Sequence, residues 1–529
     1  MDWVRTILEA SPLTALFLTI AVGYLVGELN IKGFALGSGA VLFVGIACGA
    51  FAPKSAPPPM LGTLGLLLFL YCVGIQYGHE WYRGLTSRQG LKANAVALCG
   101  LTSAGVVSLL IYQTGSANLP QTLGMFAGSG TSTPALQAIL DGLRNQDAAV
   151  GYSVAYPLGV AGPILCMSLY LAFFKPTIDS PTGQRIQPSE VSIRNSAWFD
   201  RPFPELQRQL PSGVQIAAIR EGQQNRVPTA STILGANDVL LLVGTDPRQI
   251  EKACHLIGVA TANEIATDRS SLDYIRVFAS RRNVVGMRLG SLRIPGGFEY
   301  SYVQVRRGDT DLLPDDDLLL EFGDRIGVLC SRANFNAVRT FYGDSIKGTA
   351  DFSYISIGVG ATLGLLAGMV PIPLPGVGRI TLGIAGVLVV ALGLGTVRRT
   401  WGIVWALPLS ATLVLRNFGL TIFLAQVGLA SGPDFAATIA QSGLTFVMLG
   451  ALSVLPLVIV TMLVGRMLSI PADDLFGIVS GVTGNPAILA HASRAVPTER
   501  PDIGYAMILP SMALVKILFV QIAAALLAR

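Results

Sequence analysis

Two short stretches carry the residue types from which an anion site can be built inside an apolar environment. The first is Ser129, Gly130, Thr131, Ser132, Thr133 and Pro134, within residues 128–136. The second is Thr483, Gly484, Asn485 and Pro486, within residues 480–488, and both lead into Pro-Ala. Each interrupts an apolar run with Gly and hydroxyl residues and then restarts a helix. Thr133 and Asn485 are the expected N-caps, and the Pro after each suits the first helical position. A helix N-terminus at membrane depth presents free N–H groups and the positive end of its dipole, so it favours an anion. Two such breaks in matching positions of two halves point to the binding site of a secondary transporter. Two cations join the list. Arg416 lies inside the apolar run 413–419, and Lys516 inside the run 514–518. A charge at the bilayer centre costs about 2.5–3.5 kcal/mol on insertion scales, so each must face protein, water or a ligand. The planar fork of Arg416 matches a carboxylate bidentately; Lys516 is a point donor that could also snorkel.

These residues need apolar elements to hold them, and the composition supplies them. Of 529 residues, 51% are hydrophobic and only 13% charged, against about 25% charged in soluble domains. Mean hydropathy is +0.57. A membrane helix takes about 20 apolar residues. Stretches near 12–28, 34–51, 60–78, 91–112 and 148–174 fit in the first half, with an interrupted segment near 119–140. In the second half the stretches are 353–370, 380–396, 403–428, 443–465 and 503–527, with an interrupted segment near 474–492. Trp81 and Tyr82 read as an interfacial belt at a span end. Asp2, Arg5 and Glu9 do not make a basic leader, so the first run is expected to be retained. The six Cys form no CxxC, which indicates neither a disulfide framework nor a zinc site. A net charge of +5 is accounted for by topology-anchoring Lys and Arg, so no nucleic-acid partner is expected, and no cofactor.

Residues 176–350 differ. Val214 to Arg220, a turn at Glu221-Gly222, Asp238 to Gly244 and then Pro247 to Ile257 read as strand, turn, strand, helix. The unit recurs at Tyr300 to Val305, a turn at Arg307-Gly308-Asp309, Gly323 to Leu329, and Ala333 to Tyr342. The organisation expected is a membrane half at 1–175, soluble modules at 176–265 and 266–350, and a second membrane half at 351–529.

The halves look related. Residues 36–49 align with 382–395, and Gly151-Tyr152 and Pro157 with Gly504-Tyr505 and Pro510. In that alignment the counterpart of Arg416 falls near Tyr71. If both interrupted segments are re-entrant, each half crosses five times, and an odd number inverts the second half. With the N-terminus outside, ten Lys and Arg fall at inner span ends and five at outer ends, as the positive-inside rule requires. The middle modules are then cytoplasmic.

Gly-Ala-Asn-Asp-Val and Phe-Gly-Asp-Arg-Ile, each entering a strand, resemble the C-terminal regulator-of-potassium-conductance module (RCK_C or TrkA_C type). Two membrane halves around such a pair, with Gly-Ser-Gly-Thr-Ser-Thr-Pro-Ala-Leu-Gln-Ala at 128–138 and Gly-Val-Thr-Gly-Asn-Pro-Ala-Ile-Leu at 481–489, resemble the aspartate:alanine exchanger family of bacterial transporters. The resemblance implies a polytopic helical fold of two inverted repeats and exchange of amino acids or dicarboxylates across the bacterial inner membrane. It also implies a homodimer, an elevator-like movement, and an unidentified ligand of the cytosolic modules. Another dicarboxylate or glutamate carrier is the alternative. A potassium channel would need a TVGYG-type run, and an enzyme a motif such as HExxH, Walker A or GxSxG; none is present.

Overall fold

A computed structural model describes residues 2–29, 37–176, 186–261, 264–307, 310–345, 354–374, 378–496, 498 and 500–527. The expected boundaries at 350/351, the turn residues Gly308 and Asp309, and the anchor Lys32 lie outside the described residues. The chain divides into a helical unit (1–180, 354–400 and 412–529) and an α/β unit (181–353 and 401–411).

In the helical unit the first half runs α1 (Asp2–Ala10), α2 (Pro12–Gly27), α3 (Ala40–Phe51), α4 (Pro59–Thr86), α5 (Arg88–Gln113), α6 (Leu119–Ser129), α7 (Thr133–Leu143) and α8 (Asp147–Phe174). Helices α9 (Phe203–Gln209), α10 (Pro247–Ile257) and α11 (Phe335–Tyr342) belong to the α/β unit. The second half resumes with α12 (Tyr354–Met369) and α13 (Ala385–Val397). A 59-residue helical stretch follows, bent where Gly443 takes φ 44° and ψ −124°. Its two spans are α14 (Leu409–Pro433) and α15 (Thr445–Met467). Then come α16 (Ala472–Thr483), α17 (Pro486–Ala495) and α18 (Arg500–Leu527).

Six helices among the described residues are long and apolar enough to cross a membrane: α4, α5, α8, α14, α15 and α18. The remaining four expected spans are shorter. Helices α2 and α12 have 16 residues each, α3 has 12 and α13 has 13, reaching roughly 18–24 Å at 1.5 Å per residue. They work as packed pairs, α2 on α3 and α12 on α13.

The close contacts repeat from half to half. Gly23 faces Val41 as Gly364 faces Val387, and Gly124 faces Ala148 as Gly477 faces Pro501. Helices α4 and α14 cross where a Cβ on Gly65 would strike the Gly419 carbonyl and one on Gly419 the Gly65 carbonyl. This reciprocity fixes the register: Arg416 corresponds to Gly62, not to Tyr71. Apolar composition alone could not set that alignment, because many offsets match equally well.

The α/β unit holds two modules. The first is an antiparallel sheet of order β3-β2-β4-β1-β5, from β1 (Gln187–Ile193), β2 (Val214–Glu221), β3 (Gln224–Arg226), β4 (Val239–Gly244) and β5 (Gly258–Thr261). The second is β6-β9-β7-β8, from β6 (Asp273–Phe278), β7 (Ser301–Arg307), β8 (Thr310–Leu312) and β9 (Arg325–Cys330). Both carry a register shift at the same place in the module, Ile216/Ala218 and Tyr302/Gln304. The shared Asp explains the motif read from the sequence. Asp238 accepts the Gly235 N–H at 2.7 Å, and Asp324 accepts the Glu321 N–H at 2.8 Å, so each closes the turn before its strand. Ala217, Ala218, Leu241 and Val243 pack with Leu329, joining the modules. The segment Trp401–Ala411, expected within the second membrane half, is grouped with this unit, and Val404 is buried in the second module's core.

Candidate functional site

Each interrupted segment is a pair of antiparallel helices with a tight tip. Helix α6 starts with a reciprocal cap between Asn118 and Gln121 and ends at Gly130. Thr131 then takes φ 42°, a strained value for a β-branched residue. Ser132, not Thr133, is the N-cap of α7: its hydroxyl accepts from the Ala135 N–H. Thr133 is already helical, with Pro134 beside it, because the turn closes one residue earlier than the Thr-Pro pair suggests. In the second tip α16 ends at Gly484, whose φ of 83° suits glycine. Asn485 caps α17, accepting the Ala487 N–H at 2.9 Å.

The mouths of the two hairpins lie at opposite ends of α8. Asn118 Nδ2 donates to Asp147 Oδ2 at 2.6 Å at its start. Near its end Ser168 hydrogen-bonds His491 at 3.2 Å and Tyr170 packs edge-on to Phe476 with centroids 5.8 Å apart. Entering from opposite ends, the tips meet. Thr131 Oγ1 donates to the Thr483 carbonyl at 2.8 Å. Lys516 Nζ donates to the Gly130 carbonyl at 2.8 Å and the Thr483 carbonyl at 3.4 Å. Asn485 Nδ2 donates to Tyr156 Oη at 3.1 Å, and Tyr505 Oη to the Gly484 carbonyl at 3.3 Å. All of these residues except the half-buried Gly484 are buried: Thr131 is 9% exposed, Lys516 2% and Thr483 0%.

The expected donors therefore divide. Ser129 and Thr483 spend their hydroxyls on carbonyls of their own helices. Thr131 and Lys516 join the tips, and Asn485 ties the second tip to Tyr156 of α8. Arg416 does not touch them. It lies two turns into α14, off the span centre, half-buried, with Nη1 donating to Gln76 Oε1 at 2.9 Å and Tyr77 Oη at 3.1 Å. Among the described residues no carboxylate pairs with it. Tyr77 packs edge-on to Tyr505, centroids 5.9 Å apart, which links the arginine to the second tip. Gln76, Tyr77, Tyr156 and Tyr505 were not singled out as site residues from the sequence. The signal was the repeated Gly-Tyr of α8 and α18, noted only as a repeat mark. Tyr152, the other copy, has a buried hydroxyl with no partner among the described residues.

A cavity of about 420 Å³ runs along α7 and α18 to Pro134. Asp141 and Gln521 line it, and Gln521 Oε1 is buried without a partner among the described residues. The tips offer helix N-termini and tyrosine hydroxyls, groups that suit a small anion; Arg416, with no carboxylate partner among the described residues, lies apart from them on α14, and Asp141 lines the cavity.

Known proteins place this architecture. A family model described as a predicted permease membrane region (the Asp-Al exchanger model) matches residues 15–172 and 356–525. The TrkA-C domain model matches 189–258 and 274–343. An uncharacterized transporter of Geobacter sulfurreducens is 35% identical, over 98% of both chains. One of Symbiobacterium thermophilum is 36% identical over 98% of this chain and 99% of its own. One of Corynebacterium diphtheriae is 33% identical over 98% of both. With both membrane halves and both inserted modules matched, the chain belongs to the aspartate–alanine exchanger family of membrane transporters.

Proposed function

We propose that this protein is a secondary active exchanger of small anionic amino acids or dicarboxylates, with aspartate against alanine as the pair the family suggests. The observation that carries the reading is the meeting of two interrupted helix pairs at one buried point, entered from opposite ends of α8. Such tips put helix N-termini where an anionic substrate can use them. In this reading one substrate carboxylate pairs with Arg416, and the N–H groups of α7 and α17 receive the other. Tyr152 offers its unpartnered hydroxyl, and the cavity beside Asp141 is the approach from one side. Opposite hairpin entry also supports inverted halves, and the excess of Lys and Arg at one set of span ends supports a periplasmic N-terminus and cytoplasmic modules; a bacterial inner membrane is the setting the family suggests. Alternating access by elevator-like movement of the hairpins in a homodimer completes the proposal.

Counterflow in proteoliposomes tests it. Vesicles loaded with unlabelled aspartate are offered labelled aspartate, alanine, glutamate or succinate. Uptake that requires internal substrate, with aspartate and alanine preferred, is the expected result. Uptake of aspartate that is independent of internal substrate would refute exchange, and a preference for succinate or glutamate would move the substrate to another dicarboxylate.

A further inference from the structure

Lys516 occupies a position of a particular kind. Helices α6 and α16 both end at it, and the oxygens it bonds, those of Gly130 and Thr483, are carbonyls at those two ends. A helix C-terminus carries about half a negative charge. Two together present about one unit, which the single ammonium matches. Lys516 is 2% exposed, and no carboxylate among the described residues pairs with it. In interrupted-helix transporters, carbonyls at half-helix ends are the oxygens that hold a coupling cation. Here a side chain of the protein supplies the cation.

We propose that Lys516 is a tethered counter-cation that fastens the two hairpin tips together, in place of a dissolved ion and instead of binding substrate. The inference rests on the exchanger reading and assigns a positioning residue within it. The asymmetry of the repeat fits. The packing that matches Ala148 with Pro501 and Gly124 with Gly477 sets Pro163 opposite Lys516, so only the second half contributes a cation. The space is also made for it. A Cβ on Gly130 would lie 2.7 Å from both Nζ and Cε of Lys516, while the Gly130 backbone, at φ −95° and ψ 15°, accepts any residue. Gly130→Ala therefore pushes on the ammonium without removing it. A further consequence is that exchange by the unaltered protein needs no sodium, because the ion is built in.

Exchange is measured by counterflow in sodium, potassium and choline media, for the wild type, Lys516→Met, Lys516→Ala and Gly130→Ala. Each is checked for monodisperse folded protein. Wild-type rates are expected to be equal in the three media. Lys516→Met should lose about tenfold or more, the scale of a charge-assisted hydrogen bond, and Gly130→Ala should lose part of the rate. Lys516→Ala, which leaves room, should regain exchange when methylammonium, ethylammonium or sodium is added, and not with tetramethylammonium. Full activity of Lys516→Met, a sodium requirement in the wild type, or a dead Lys516→Ala that no cation restores would each overturn the proposal. If the wild type exchanges no substrate at all, the exchanger reading fails, and the latch is judged by a second measurement. Thr131→Cys should resist a thiol reagent when Lys516 is present and react when combined with Lys516→Met, above the labelling of the six native cysteines. Equal reactivity in the two backgrounds would overturn the latch.

Discussion

Replacing Arg416 by Lys keeps the charge and removes the fork, which makes it the sharpest test of the substrate site. The geometry sets the size of the effect. Nη1 is already used by Gln76 and Tyr77. The opposite edge, Nε and Nη2, makes no hydrogen bond to a described residue, and it is the edge that can take a carboxylate bidentately. An ammonium at this place must either abandon Gln76 and Tyr77 or offer the carboxylate a single donor. Either way one charge-assisted hydrogen bond is lost, about 1.5–3 kcal/mol, which is roughly ten- to 150-fold in affinity. The assay is counterflow of labelled aspartate over a concentration series, with the reconstituted amount and orientation measured. The expected result is a KM for aspartate raised by that factor. Tyr77→Phe and Gln76→Ala should each cost less, about 1 kcal/mol, because they orient the arginine without meeting the substrate. If Arg416→Lys exchanges aspartate with unchanged KM and rate, Arg416 is not a substrate ligand. Its role is then to tie α14 to α4.

Other outcomes follow from single contacts. Pro134→Ala and Pro486→Ala should lower exchange more than the yield of folded protein, because each Pro sits in the first turn of a tip helix; equal losses of both would mean that the Pro residues serve packing only. Gly419→Ala should force α4 and α14 apart and cost about 1–3 kcal/mol of stability, read as a lower Tm in detergent; an unchanged Tm would contradict the crossing at Gly65. Between the two α/β modules the Ser270 hydroxyl and N–H, and then Arg220 of β2, hold the Asp268 carboxyl down to about 2. A carboxyl held below its usual range stabilises the fold above the ordinary value, and that contribution disappears as the pH falls from about 4 toward about 2. Thermal unfolding of wild type and Asp268→Asn should differ near neutral pH and converge over that window; a difference that persists below it would count against the assignment.

Much of the molecule was legible in the chain. The interrupted segments at 119–140 and 474–492 became hairpins, because Gly, hydroxyl residues and Pro act on their own backbone. The α/β modules were legible for a similar reason. Alternating apolar residues and a Gly-containing turn define β2, β4, β7 and β9 locally. The cap of α7 was misread by one residue, since Ser132 and Thr133 are both competent caps and only the turn geometry at Thr131 chooses. The helices α3 and α13 are shorter than the apolar runs 34–51 and 380–396 in which they lie. Trp81 read as an interfacial anchor, yet its Nε1 donates to Ser511 of α18 at 3.1 Å.

Composition, periodicity and capping, each written within about twenty residues, set the two membrane halves, the paired α/β modules between them, the location of both tips, and the presence of two cations in apolar runs. The tertiary structure alone decided what the cations do. Arg416 finds its partners on α4, and Lys516 bonds a carbonyl 386 residues away. The tips meet through a hydrogen bond that spans 352 residues. Such pairings depend on which helix faces which, and glycine contacts such as Gly65 with Gly419 set that choice. No local pattern records it, because a carbonyl oxygen at a helix end is the same atom in every sequence until the fold brings a cation to it.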